Sequence, residues 1–167
     1  MFFVNSRAIV ERHVNGTMEI VIQTRNKAGE SQLLELPGGR LEPFESFVTA
    51  LKREVKEETG LHVVEIEGED TRMDTVGMDP SFEVECMKPF GVYQTINGPF
   101  DSVGAYFRCR VQGELLQSGD DTKNPRWIEV DELRRLMNED PCQFSSVDRA
   151  GVLYYLSYLE KLTSSER

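Results

Sequence analysis

Gly39 to Leu61 reads GRLEPFESFVTALKREVKEETGL, directly after the chain-breaking Pro37-Gly38. The spacing predicts a loop and then a helix from about Phe44 to Thr59, with Gly60 as its C-terminal cap. At about 100° per residue, Phe44, Val48, Leu51 and Val55 share one arc and form the expected buried face. Glu54, Glu57 and Glu58 fall on a neighbouring arc at i, i+3 and i+4, so their carboxylates are expected to converge on one patch. Like charges at that spacing repel, and the macrodipole disfavours them near a helix C-terminus. Two local rules broken together mark a candidate functional site. A hard divalent cation, which prefers oxygen ligands, would relieve both penalties. The charge pattern alone is equally that of a solvated helix face whose acids are offset by Lys52, Arg53 and Lys56.

Working outward, the segments before this helix read as strands. Phe2 to His13 is rich in β-formers, Asn15-Gly16 is a hairpin signal, and Glu19 to Arg25 and Leu33 to Leu36 are further strands. After the helix come strands over Leu61 to Ile66, Ser81 to Tyr93, Val103 to Val111 and Trp127 to Val130, with a loop over Thr71 to Pro80. Asp131 is placed as the cap of a short helix carrying Leu133, Leu136 and Met137. Ser145-x-x-Asp148 resembles a capping box and opens a last helix. Its Val152, Leu156 and Leu159 stripe is either core or a dimer face. This order of strands, helix, strands and helices predicts an α/β fold, a mixed sheet with helices on both faces. No repeat, low-complexity tract or linker interrupts it, so residues 1–167 are expected to form one domain.

The chain has 167 residues and a net charge of −10, with 39% hydrophobic and 29% charged residues. That is enough to bury a core and far from a disordered composition. The negative charge argues against general nucleic-acid or anionic-membrane binding. An anionic substrate would need local neutralisation, as by a bound cation. The three cysteines lie far apart without a C-x-x-C pair, so no zinc knuckle or disulfide framework is expected. Cys86 and Cys109 read as buried small hydrophobes, in keeping with a reducing, cytoplasmic compartment. The opening residues lack the charged start and apolar run of a signal peptide, and no stretch is apolar enough to span a bilayer.

Gly39 to Leu61 resembles the Nudix box, G-x5-E-x7-R-E-U-x-E-E-x-G-U with U aliphatic. It matches at Gly39, Glu45, Arg53, Glu54, Val55, Glu57, Glu58, Gly60 and Leu61. The resemblance implies a Nudix-like α/β/α sandwich and hydrolysis of a nucleoside diphosphate linked to another group, with Mg2+ as cofactor and Mn2+ as a substitute. Glu54, Glu57 and Glu58 would hold metal, with Glu54 or Glu57 as the base that activates water. Arg53 would orient the glutamates, and Glu45 would brace the loop or act on the metal indirectly. Gly38 and Gly39 would let the loop backbone approach closely, with Gly39 able to take a positive φ. A further carboxylate from a loop before Trp127 is expected, Asp121 first, Asp120 second and Glu114 last.

Substrate choice is less legible. Arg25 is either a phosphate contact or a surface charge at a strand end. Phe90, Tyr93 and Phe100 are either base-stacking groups or ordinary strand aromatics. The polar loop Gln94 to Ser102 could face substrate. Coenzyme A, NADH, ADP-ribose and dinucleoside polyphosphate signatures are not matched, so the partner is expected to be a small nucleotide of unspecified kind, bound by a monomer or homodimer. Two alternatives stand beside this: a sanitising nucleoside triphosphate pyrophosphatase, and a catalytically silent Nudix-fold binding or regulatory module. The second is disfavoured because every box carboxylate is present. A calcium-loop protein is excluded because the acids sit on a helix.

Overall fold

The computed structural model describes residues 1–166. A long strand, β1 (Phe2–Val14), turns back through Asn15-Gly16 into β2 (Thr17–Arg25). Both turn residues have positive φ, 51° and 80°, as this tight hairpin requires. Two short strands follow, β3 (Leu34–Glu35) on β2 and β4 (Gly38–Arg40) on β1, and lead into α1 (Phe47–Thr59). Beyond it lie β5 (His62–Ile66), β6 (Met73–Asp74), β7 (Glu85–Cys86), β8 (Gly91–Gln94), β9 (Asp101–Gln112), β10 (Ser118–Gly119) and β11 (Thr122–Glu129). Two helices close the fold, α2 (Val130–Glu139) and α3 (Ser146–Ser165).

The main sheet has the order β10-β11-β2-β1-β9-β5, with β3, β4 and β8 added along its strands, while β6 and β7 form a separate hairpin. β1 and β9 run parallel from Phe2 and Asp101 to Val10 and Cys109. Among the described residues every other strand-to-strand pairing is antiparallel, and an isolated parallel bridge joins Leu34 to Phe144. The mixed sheet between helices is the predicted fold class.

Side-chain alternation splits the core in two. Ala8, Val10, Val21, Ala105, Phe107 and Cys109 face Leu51 and Val55 of α1. Ile9, Ile20, Ile22 and Tyr106 face the opposite way, onto Leu133 and Met137 of α2 and Val152, Tyr155 and Leu156 of α3. Each fully buried aliphatic side chain in these layers contributes about 1.5–3 kcal/mol. The α3 stripe is therefore core, with Leu159 packed at its margin.

Several expectations need correction. α1 starts at Phe47, because the Ser46 hydroxyl accepts the Thr49 N–H at 3.0 Å and takes the cap. Phe44 lies outside the helix, fully exposed and left-handed at φ 63°, so it is no part of the buried face. The strand expected over Ser81 to Tyr93 is divided between β7 and β8, with Pro89, which has no N–H to give a ladder, lying between them. Cys86 is exposed on the separate hairpin, whereas Cys109 is buried as expected. The strand at Trp127 is longer, and Val130 already belongs to α2. Glu129 stands at the cap position, and Asp131 lies in the first turn, paired with Arg134 at 2.8 Å. No helix among the described residues is long and apolar enough to cross a membrane.

Candidate active site

The site is built where β4 runs into α1. The α1 C-terminus is set by Gly60, left-handed at φ 80°, whose N–H donates to the Lys56 carbonyl at 3.0 Å. This holds the last turn, with Glu57 and Glu58, in register against the sheet. Glu58 is 8% exposed and accepts the Gly38 N–H at 2.9 Å. It forms no ion pair among the described residues. Burial pushes its carboxyl up to about 8, although Arg7 and the Gly38 N–H favour the charged form. Glu35, also buried, lies close enough to oppose that charge, and burial raises its carboxyl too. The Gln23 amide donates to Glu35 at 3.3 Å, and its own carbonyl oxygen is buried without a hydrogen-bond partner among the described residues.

Glu54 is half-buried beside Gly39, and desolvation raises its carboxyl against the pull of Arg53. A Cβ on Gly39 would stand 2.5 Å from the Glu54 carboxyl carbon, so only glycine lets that carboxylate lie on the loop backbone. The positive φ belongs to Gly38, at 138°, and not to Gly39 as expected. A Cβ at Gly38 would collide with the Ser6 carbonyl oxygen across the β1–β4 pairing.

Arg53 is the hub of the loop. Its guanidinium donates to Glu45 at 2.8 and 3.0 Å, to Glu54 at 2.7 Å, to Glu57 at 3.3 Å and to the Arg40 carbonyl at 3.1 Å. That hydrogen bonding holds Glu45 below the usual carboxylate range. Glu45 also accepts the Glu42 N–H at 2.9 Å, so it ties the loop to the helix. Glu57 is the most exposed of the three helix acids. Glu54 and Glu57 thus share one nitrogen of Arg53, while Glu58 turns inward to Gly38. No three acidic, histidine or cysteine side chains among the described residues are already gathered at metal-holding geometry.

The other residues singled out in the sequence are spread more widely. Asp120 and Asp121 are exposed in the β10–β11 turn, Asp121 with φ 51°. That hairpin abuts α1 closely, since a Cβ on Gly119 would strike the backbone of Glu57 and Glu58. Glu114 is exposed in the loop after β9, its carbonyl near Gly60. Arg25 ends β2, bonded to Glu30 and 3.7 Å from Glu35. The Tyr93 hydroxyl lies 2.7 Å from the Asn5 amide and 2.9 Å from the Ser102 hydroxyl. Phe90 packs edge-on against Tyr154, Tyr155 and Tyr158 of α3, on the face opposite α1. Phe100 meets Phe3 edge-on, with ring centroids 5.5 Å apart.

One contact beneath the site joins residues 141 positions apart in the chain. The buried Arg7 guanidinium pairs with Asp148 of α3 at 2.6 Å and donates to the Leu36 and Gly38 carbonyls, each at 2.6 Å. Burial works against the Arg7 charge, but Asp148 and Glu35 hold it protonated. The Ser145-x-x-Asp148 spacing predicts only a helix-start role for Asp148. Arg7, set directly before the apolar run Ala8-Ile9-Val10 of β1, was the signal available for this contact.

The family model described as NUDIX domain matches residues 5–148. A search of curated proteins by sequence returns no match. Among solved structures, a possible asymmetric diadenosine tetraphosphate hydrolase from Jonesia denitrificans has a TM-score of 0.65 at 14% identity, covering 94% of each chain. A NUDIX hydrolase from Nitrosomonas europaea has a TM-score of 0.64 at 19% identity, over 94% of this chain and 90% of that one. The NUDIX domain of Shewanella oneidensis NrtR, complexed with ADP ribose, has a TM-score of 0.60 at 13% identity, over 95% and 89%. At such identities the structures establish the fold, and the family match spans most of the chain. The chain belongs to the Nudix family and is a pyrophosphohydrolase of that family.

Proposed function

We propose that the chain hydrolyses a phosphoanhydride bond in a nucleoside diphosphate linked to another group, in a reaction that depends on Mg2+, with Mn2+ as a substitute. The observation that carries this reading is Glu58, a buried carboxylate without an ion-pair partner among the described residues, beside the half-buried Glu54. A buried uncompensated carboxylate is costly unless something cationic joins it. The oxygen-only donor set of Glu54, Glu57 and Glu58 fits a hard divalent cation, with Asp121 as the added ligand from the neighbouring turn. When bound, such an ion neutralises diphosphate charge and lowers the pKa of a water.

The chain's own residues do the rest. Glu54 or Glu57 accepts the proton of the attacking water. Arg53 keeps both from drifting, since its planar fork fixes direction as well as charge. Gly39 leaves room for the Glu54 carboxylate, and Gly38 presents its N–H to Glu58. Arg25 and Tyr93 are the substrate-side groups of this reading. The ADP ribose in the Shewanella domain supports a nucleotide ligand class. Full retention of the box acids favours turnover over a silent binding module.

A panel of nucleotide derivatives with Mg2+ and Mn2+, with products resolved by mass, tests the proposal. Phosphomonoester products from a diphosphate-linked substrate are expected, with loss of turnover in Glu54→Gln or Glu57→Gln. No hydrolysis with either metal, or full activity in both variants, would overturn it. Release of pyrophosphate from triphosphates would instead identify a sanitising enzyme.

A further inference from the structure

The segment Leu36–Gly38, which leads into the acidic helix, is fastened at every backbone polar group it owns. The Leu36 N–H donates to Asp148 at 2.9 Å, and the Leu36 and Gly38 carbonyls accept from Arg7. The Pro37 carbonyl accepts the Ala8 N–H at 2.8 Å, and the Gly38 N–H serves Glu58. Proline has no N–H to add. Asp148 is fully buried and takes two further hydrogen bonds, from the hydroxyls of Tyr106 at 2.9 Å and Ser145 at 3.0 Å. It therefore sits where β9, the start of α3 and the loop before α1 meet, although it lies 141 residues from Arg7.

We propose that Arg7 and Asp148 are positioning residues for the metal site, holding the Leu36–Gly38 backbone from the α3 side so that Gly38 and Gly39 present a fixed surface to Glu58 and Glu54. A buried ion pair adds little net stability over apolar residues of similar volume. What it supplies here is direction: a planar guanidinium spans two carbonyls of one loop, and a carboxylate locks that plane. The reach to the acids is short, because Gly38 bonds Glu58 directly and Gly39 touches the Glu54 carboxylate. Partners of this kind, one step removed from the ligands, commonly set metal affinity.

This inference rests on the metal reading above, and the experiment separates the two. Removing one charge leaves the other buried and unpaired and costs stability. The informative protein is therefore the charge-free double variant Arg7→Met/Asp148→Asn. Mn2+ binding by electron paramagnetic resonance, circular dichroism melts and amide exchange at Leu36 and Gly38 are compared with wild type. The expected result is a folded double variant that binds Mn2+ about 10–100-fold more weakly, with faster exchange at both amides. A folded double variant with wild-type Mn2+ affinity and unchanged exchange overturns the proposal. Failure of the wild type itself to bind Mn2+ overturns the metal reading instead. In that case exchange in the metal-free proteins still decides the tether, faster in the double variant if it exists and unchanged if it does not.

Discussion

Replacing Gly39 by alanine puts a methyl group where the Glu54 carboxylate now lies. The new Cβ would stand 2.5 Å from the carboxyl carbon and from Oε1, and 2.7 Å from Oε2. Ordinary contact begins near 3.4 Å, so the carboxylate must retreat by about 0.9 Å. That retreat works against the 2.7 Å hydrogen bond from Arg53, which is itself fixed by Glu45. A displacement of about 1 Å at a reacting group costs on the order of 100-fold in rate, or about 2.7 kcal/mol of barrier. The fold has little reason to suffer, because the colliding atoms end a flexible side chain and the φ of Gly39 is not in the left-handed region. The expected result is a melting temperature within about 4 °C of wild type and kcat with Mg2+ about 100-fold lower on whichever substrate the panel identifies. Gly38→Ala provides the contrast. There the φ of 138° and the Ser6 carbonyl oxygen are both violated, so the loss is in stability, by about 1–3 kcal/mol. A Gly39→Ala enzyme with wild-type kcat refutes the reasoning, as does one whose lost activity is matched by a lost fold.

Phe44→Gly should change the urea midpoint by the equivalent of less than about 1 kcal/mol, because the ring is fully exposed and its backbone is left-handed. A loss of several kcal/mol would restore Phe44 to the core. Arg53→Lys should lower kcat about 10–100-fold with little effect on KM, since a single ammonium cannot span Glu45, Glu54, Glu57 and the Arg40 carbonyl. Steady-state kinetics with unchanged kcat would contradict that. Burial pushes the Cys109 thiol up to about 12, above its value of about 8.5 in the unfolded chain. The stability it contributes is full below that unfolded value and is lost as pH rises towards the folded one. Urea unfolding should therefore show wild type losing about 2 kcal/mol more than Cys109→Ala between pH 8 and pH 10. An equal loss in both would dismiss the thiol as the cause.

The sequence made the acidic helix legible because everything that defines it is local. Glu54, Glu57 and Glu58 share a few turns with Arg53, and a glycine cap follows directly. The Asn15-Gly16 signal likewise exposed the first hairpin, since its two residues are those that accept the positive φ so tight a turn requires. Partners far apart along the chain were harder to foresee. Nothing adjacent to Arg7 or Asp148 reveals that they meet, and the Ser145-x-x-Asp148 spacing suggested a purely local use for the carboxylate. Helical periodicity alone draws Phe44 into α1, because it ignores the stronger cap at Ser46. The Ser81 to Tyr93 strand was overdrawn because apolar residues do not say when a chain leaves the sheet, which it does here on either side of Pro89.

The parallel contact between β1 and β9 also bears on how the protein is made. Phe2 and Asp101 are paired neighbours in the sheet but roughly a hundred residues apart on the chain. At a synthesis rate of about 5–20 residues per second, β1 waits roughly 5–20 s for its central partner to leave the ribosome. Meanwhile Ala8, Ile9 and Val10, all fully buried in the finished molecule, lack the strand edge that Phe107, Arg108 and Cys109 of β9 will supply. The interval in which this chain is most open to aggregation is therefore set by its topology, and a slower-translated message would lengthen it without altering a single residue.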